Sequence, residues 1–333
     1  MKMKTLDGLS RNCVRVGHAC VGLAAAFAPL LSLAANWYVA KNGDDNASGA
    51  SWDEPLATVQ KAVEKAASAD SIAVDDGVYV LDAPVVIPST KVLKIVSRNG
   101  KADAVVFDGN NATYCFAFLR QGNNALSGVT VRNGKGSAYV PGKATYFPGG
   151  VYMAGGSLSN VTISDCHTHV DAGTSIVSCL GGGVYQESGA ATGVKIRDCS
   201  IEMETTATQI ATCQGGGIYT LGLVSGGEIS NCSVVVQAPN CTEDTAYKVG
   251  GGGIMSAGSG ASRSCKVIGC SAVLESTSGT GGTGGGVFLY GNGDSLIDSL
   301  VADCIALRRR RGRPAKERAS ELFDLEQHDC RAR

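Results

Sequence analysis

The sequence predicts an all-β solenoid, a coil of short parallel strands whose equivalent residues lie one above another from turn to turn, preceded by a capping α-helix. Three observations predict it. A Gly-Gly phrase returns five times, at Gly149-Gly150-Val151-Tyr152, Gly182-Gly183-Val184-Tyr185, Gly216-Gly217-Ile218-Tyr219, Gly252-Gly253-Ile254-Met255 and Gly285-Gly286-Val287-Phe288, and its β-branched residue recurs at intervals of 33, 34, 36 and 33. A fixed period of that size is the mark of stacked structural units. A second phrase keeps step with it: Ile163-Ser164-Asp165-Cys166, Ile196-Arg197-Asp198-Cys199, Ile229-Ser230-Asn231-Cys232, Val267-Ile268-Gly269-Cys270 and Val301-Ala302-Asp303-Cys304. Composition agrees, since 45 Gly with only 2 Trp and 7 Phe leave a core of Val, Ile, Ala, Cys and Leu, which suits a narrow coil.

Taken in chain order, residues 1–35 read as an export signal. Lys2, Lys4, Arg11 and Arg15 precede an apolar run from Ala19 to Ala34, and Ser32-Leu33-Ala34 supplies small residues at the cleavage positions. The run is short and contains Pro29, so no membrane span is expected in the mature chain. The repeats are then expected outside the cytoplasm.

Residues 36–125 read as an N-terminal cap and the first, irregular rungs. Asn36 to Ala40 makes a short strand and Lys41 to Glu54 a polar loop. From Pro55, the residues Leu56, Val59, Ala62, Val63 and Ala66 recur at helical spacing, which predicts an amphipathic helix of three to four turns. The loop Asn42-Gly43-Asp44-Asp45-Asn46 carries oxygen ligands of the kind calcium takes, but lacks the spaced Asp-x-Asp-x-Asn-Gly pattern with a distant Glu, which favours an ordinary turn. Pro84 to Ile87, Val92 to Ser97, Ala104 to Phe107 and Tyr114 to Leu119 read as early strands.

Residues 126–307 hold the regular repeats of about 33 residues. Val194 and Ile196 point inward while Lys195 and Arg197 point out, and after a break at Asp198 the alternation resumes with Cys199, Ile201 and Met203 inside. Only Asn, Asp or Gly occupies that break: Asn133, Asp165, Asp198, Asn231, Gly269 and Asp303. These residue types tolerate a left-handed backbone, so the column predicts one sharp corner repeated coil after coil. Because Asp interchanges with Asn and Gly, backbone geometry accounts for the column better than paired catalytic carboxylates.

Cys166, Cys199, Cys232, Cys270 and Cys304 form an inward column, where free Cys serves as a small hydrophobe. An exported chain also admits disulfides; neighbouring rungs fall within disulfide reach, with Cys179 and Cys213 the best-matched pair. Between the phrases, Gly134 to Pro148, Ala172 to Leu180, Thr205 to Gln214 and Ala238 to Gly250 vary in sequence and length, the usual division between a scaffold and its recognition loops. Residues 308–333 form an Arg-rich charged tail.

The Gly-Gly strands and the Asn/Asp corners resemble those of right-handed parallel β-helix proteins of the pectin-lyase-like group, over roughly Asn36 to Leu307. The opening stretch YVAKNGDDNASGASWDEPLATVQKAV is similar to the opening segments of bacterial β-helix surface proteins. That resemblance implies a right-handed, single-stranded coil whose first rung is covered by the helix. The Gly-Gly strands also resemble chlamydial polymorphic membrane proteins, which implies outer-membrane association, although the FxxN motif of that family is missing.

For chemistry, aligning Cys166 with Cys199 places His169 over Glu202 and Asp171 over Glu204, all facing out. This patch, with His167 nearby, is the candidate acid/base or metal site; Lys195 and Arg197, beside the corner carboxylates on the outer face, are the candidates to stabilise a sugar acid or enolate. Two functions remain open: a non-enzymatic, adhesin-like scaffold for an extracellular polysaccharide or cell-surface ligand, and a polysaccharide lyase or glycoside hydrolase acting on acidic sugars. No cofactor is expected, calcium entering only with the lyase reading. The net charge of -1 gives no electrostatic case for nucleic acid across the body of the chain. Arg311-Gly312-Arg313-Pro314 is similar to the core of AT-hook peptides, but an exported protein does not meet chromatin. Each Gly-rich phrase leads into a strand, which argues against phosphate binding.

Overall fold

The computed structural model describes residues 34–136, 145–242, 248–258, 261–276 and 284–310. The expected export signal, all but its last two residues, and the tail beyond Arg310 lie outside these. The described chain is an all-β parallel β-solenoid with one α-helix among the described residues. Its strands fall into five parallel sheets, of nine, eight, seven, six and four strands; the nine-, eight- and seven-stranded sheets begin in the early turns, whereas the six-stranded sheet begins at Lys135 and the four-stranded at Thr145.

One turn shows the plan. Val184–Gln186 lies in the seven-stranded sheet, Ala190–Thr192 in the nine-stranded, Lys195–Arg197 in the eight-stranded and Ser200–Thr205 in the six-stranded sheet. Registers are kept between turns, as in Val151 beside Val184 beside Ile218 beside Ile254 beside Val287. The stacking begins earlier than the repeats suggest. Val85–Ile87 and Phe116–Phe118 already occupy the seven-stranded sheet, and Asn36–Val39 pairs with Ser71–Val74 as the first two strands of the nine-stranded sheet. At the other end the last strand, Ile305–Arg310, runs three residues into the Arg-rich segment and pairs with Ser271–Ser276.

The helix is shorter than its apolar spacing predicts, spanning Val59–Lys65. Leu56 is drawn instead into a parallel bridge with Val39, its N–H bonding Tyr38 O at 2.8 Å and its carbonyl accepting from Ala40 N at 3.0 Å. Thr58 caps the helix through the Lys61 N–H, as Ser and Thr do at N-termini. Asp45 then holds the approach, accepting from Ala57 N and Thr58 N, both at 2.9 Å, and from the Thr58 hydroxyl at 2.9 Å. That loop carboxylate is used up in capping and turn formation, as is Asp44, which accepts from Asn46 N.

The two repeated phrases meet inside the coil. Gly183 lies where an added Cβ would stand 3.1 Å from Cys199 Sγ and 2.8 Å from Gly217 O; Gly217 stands equally close to Cys232 Sγ and Gly253 to Cys270 Sγ. The last Gly of each phrase therefore makes room for the sulfur of the same turn, in an interior packed as densely as a crystal. One earlier turn reverses the arrangement. Cys115, next to Phe116, stands in register with Gly150, and Gly134, next to Lys135, stands in register with Cys166. A Cβ on Gly134 would lie 3.1 Å from Cys115 Sγ. Glycine and cysteine have exchanged sides, and their joint volume is kept.

The corners follow the same logic. Asn133, Asp165, Asp198, Asn231 and Asp303 have φ between 52° and 55° and Gly269 has 64°. A second left-handed column, which the sequence reading passes over, separates the nine- and eight-stranded sheets: Gly128, Asn160, Gly193, Gly226, Ser264 and Asp298. At the first column the following Cys donates its S–H across the corner, Cys199 to Arg197 O at 3.2 Å and Cys232 to Ser230 O at 3.3 Å.

The segments expected as variable loops are partly sheet. Thr145–Tyr146, Ser178–Leu180, Cys213–Gln214 and Val249–Gly250 form the four-stranded sheet. Its apolar side packs on Val170, Met203, Val236 and Leu274 of the six-stranded sheet, making a second core beside the main one. These excursions fold into a lateral lobe because the strands after the corner extend past the main core and carry apolar residues with them.

Candidate functional site

The six-stranded sheet carries the predicted patch on its outer face. His167–Gly173 alternates exposed and buried residues, with His167, His169 and Asp171 outward. Its neighbour Ser200–Thr205 sets Glu202 beside His169 and Glu204 beside Asp171. His169 Nδ1 lies 3.7 Å from Glu202 Oε2, and the two side chains are 53% and 58% exposed. That distance is beyond the reach of 2.6–3.2 Å at which a base takes a proton directly, and at that exposure an ion pair contributes about 0–1 kcal/mol. His167 Nδ1 instead sits 3.0 Å from Ser200 Oγ, and Asp171 accepts from the Gly173 N–H at 3.1 Å.

Lys195 does not join this group. It lies across the corner in the eight-stranded sheet, between Thr162 and Glu228, with Lys266 on the next turn. His169 and Glu202 are brought together, Glu204 stands one step outward beside Asp171, and Lys195 belongs to a separate row of alternating charge. Among the described residues no three His, Cys, Asp or Glu are placed to hold a metal together.

The corner carboxylates Asp165, Asp198 and Asp303 are spent on backbone geometry, each at a left-handed φ. Asp198 receives a 3.3 Å bond from Asn231 Nδ2 and faces Arg197 at 3.7 Å. Of the interior thiols, Cys166, Cys199, Cys232 and Cys270 are buried and Cys304 is half-buried. Burial, and then the neighbouring Cys166, hold the Cys199 thiol far above the usual range, so it is no nucleophile at neutral pH.

A groove lies elsewhere, where the seven-stranded sheet turns into the nine-stranded one. It has a volume of about 710 Å³ and runs across five successive strands of the latter sheet, lined by Lys94, Asn123, Asn124, Ser157, Ser188, Ala190 and Leu223 over a floor of Gly122, Gly156 and Gly189. The floor is bare backbone for a steric reason: Gly189 has φ of 102°, and a Cβ there would stand 1.7 Å from Gly156 O. Beneath it, buried Asn124 is held by three bonds, donating to Arg120 O at 2.8 Å and Gly155 O at 3.0 Å and accepting from Leu93 N at 3.1 Å. Gln186, also buried, donates to Gly156 O at 3.2 Å. At the rim Ser188 bonds Gln121 at 2.9 Å. The groove therefore offers hydroxyl, amide and ammonium groups on a rigid floor, with no carboxylate or imidazole in its lining. Its one trace in the sequence is the column Gly122, Gly155-Gly156, Gly189 and Gly222, which recurs with the period of the strands but carries no functional side chain.

Along the outer side of the seven-stranded sheet, Phe147, Tyr152, Tyr185 and Tyr219 pack edge to face with ring centroids 5.1, 5.4 and 5.4 Å apart. Burial raises the Tyr152, Tyr185 and Tyr219 hydroxyls above their ordinary range. Tyr152 donates to Glu187 Oε1 at 3.0 Å. This row is mostly covered and serves packing. No helix among the described residues is long and apolar enough to cross a membrane.

No protein-family model matches the chain, and no curated protein matches it in sequence. Among solved structures it is similar to a rhamnogalacturonan lyase at 14% identity with a TM-score of 0.33, a match covering 83% of this chain and 65% of that one. The chain thus spans just under two thirds of that protein's length, and a likeness of this size assigns it neither activity nor substrate. The parallel β-solenoid itself rests on the registers of its five sheets.

Proposed function

We propose that the chain is an exported, non-enzymatic binding scaffold for an extracellular polysaccharide or a cell-surface ligand. The observation that carries this reading is the separation of the groove from the acid/base patch. The concave surface holds hydrogen-bonding groups and a backbone floor, whereas His169 and Glu202 lie on a flat, solvated face. Binding sites are concave, with a few fixed polar groups, and catalysis needs its acid and base within reach of the bound substrate. A lyase or hydrolase would need the two in one place.

The test has two arms. The full chain is titrated with uronic-acid and neutral polysaccharides by calorimetry, and the same mixtures are followed for unsaturated sugar products in the ultraviolet, with and without calcium. Binding without turnover is expected, weakened at least about tenfold by Ala190→Trp, which fills the groove. Turnover lost in Glu202→Ala or His169→Ala overturns the reading in favour of the lyase. Binding that Ala190→Trp leaves unchanged removes the groove from it.

A further inference from the structure

Ten cysteines are described. Their surroundings divide them. In the interior column each S–H is committed to the carbonyl two residues back: Cys166 to Ser164, Cys199 to Arg197, Cys232 to Ser230, Cys270 to Ile268 and Cys304 to Ala302, at 3.1–3.5 Å. Cys265 does the same with Arg263 O at 3.3 Å. These sulfurs are also hemmed in by the Gly phrases opposite, as Cys199 is by Gly183.

The interior sulfurs also stand beside one another from turn to turn, as Cys199 does beside Cys166 and Cys232; Cys179 and Cys213 differ in lying outside this column. They are directly opposed in parallel register in the four-stranded sheet of the lateral lobe. Neighbouring strands lie about 4.8 Å apart, within the Cα separation of about 4.4–6.8 Å that a disulfide spans. Both are fully buried. Their contacts are with sulfur: Cys213 Sγ touches Met203 Sδ at 3.4 Å, and the Cys179 thiol beside it, then burial, push the Cys213 thiol well up.

We infer that Cys179 and Cys213 are a disulfide site, joined in an oxidising medium to staple neighbouring turns through the lateral lobe. A disulfide oxidant, small-molecule or protein, supplies the chemistry. One cysteine thiolate attacks the oxidant's S–S bond and expels a thiol, leaving a mixed disulfide; the second thiolate displaces the remaining thiol. Two protein thiols lose two electrons and two protons, and the oxidant gains them as two thiols. Because neither sulfur is exposed in the closed lobe, the exchange takes place while the lobe is open, during folding.

The full chain is refolded in mixed reduced and oxidised glutathione, alkylated before and after denaturation, digested and mapped by mass spectrometry. One linked pair of peptides, Cys179 to Cys213 and two hydrogens lighter, is expected, with the interior column alkylated only after denaturation. Free Cys179 and Cys213, or a bond to Cys241 instead, overturns the inference. A reductant should lower Tm by several degrees in the wild type, since the bond closes a long loop, and leave Cys213→Ser unmoved. Equal behaviour of the two proteins also overturns it.

Discussion

Replacing Asp198 with Val tests whether the corner column is backbone geometry or chemistry. Asp198 sits at φ 55°, a region that costs an ordinary L-residue roughly 1–2 kcal/mol and resists β-branched side chains most. Its carboxylate is worth less. The contact with Arg197 is 3.7 Å long between side chains 56% and 40% exposed, a surface pair contributing about 0–1 kcal/mol, and the bond from Asn231 is long at 3.3 Å. Asp198→Val should therefore destabilise by about 1–3 kcal/mol, whereas Asp198→Gly should stay within about 1 kcal/mol, as Gly269 holds the same corner two turns on at φ 64°. Urea unfolding followed by circular dichroism reads both. If Asp198→Gly proves as harmful as Asp198→Val, the backbone account is wrong and the carboxylate matters for itself.

Three further outcomes are expected. Asp70→Ala removes the acceptor of Ala35 N, Trp37 Nε1 and Ala67 N; a loss of about 2–3 kcal/mol and a red shift of the Trp37 fluorescence should follow. Burial opposes ionisation of Asp108, but Asn133, the Asn110 N–H and Arg132 outweigh it and hold its carboxyl below the ordinary range. Its folded pKa being depressed, that stability is complete above the unfolded value of about 3.9 and is lost as pH falls through the folded one; urea midpoints should fall on acidification, less steeply in Asp108→Asn. Exchanging the interlocked pair, Gly183→Cys with Cys199→Gly, should be less damaging than the two single changes added together, by about 1 kcal/mol or more. Additivity within about 0.5 kcal/mol would refute the interlock.

The repeat was legible because the interior of a solenoid is a periodic constraint. Val184, Ile196 and Cys199 each face their counterparts above and below, so the sequence must return to the same volume every turn. The Asp198 corner was legible for a similar reason, since few residues accept its φ. The column through Asn160, Gly193 and Ser264 obeys the same rule but admits Ser264, which blurred it. The helix started late because Leu56 serves the strand Asn36–Val39, a tertiary demand that local spacing cannot register. The lateral lobe was hidden by its strands of two or three residues, too short to show alternation.

The early turns show what the periodic constraint acts upon. In the turn of Phe116 the Gly-Gly phrase is absent, yet Cys115 and Gly134 fill the space that Gly183 and Cys199 fill two turns later, with the members exchanged. The conserved quantity is thus the summed volume across the coil at one height, not the residue at either position, and a search for the phrase alone starts the solenoid too late. No such sum binds the outer faces. The side chains of Lys94, Ser157 and Leu223 meet solvent and are not bound to repeat from turn to turn, so the groove left its trace only in the glycines of its floor, where backbone again approaches backbone. Function in this architecture is written on the aperiodic side, and the part of it that a sequence can betray is the part pressed against the periodic one.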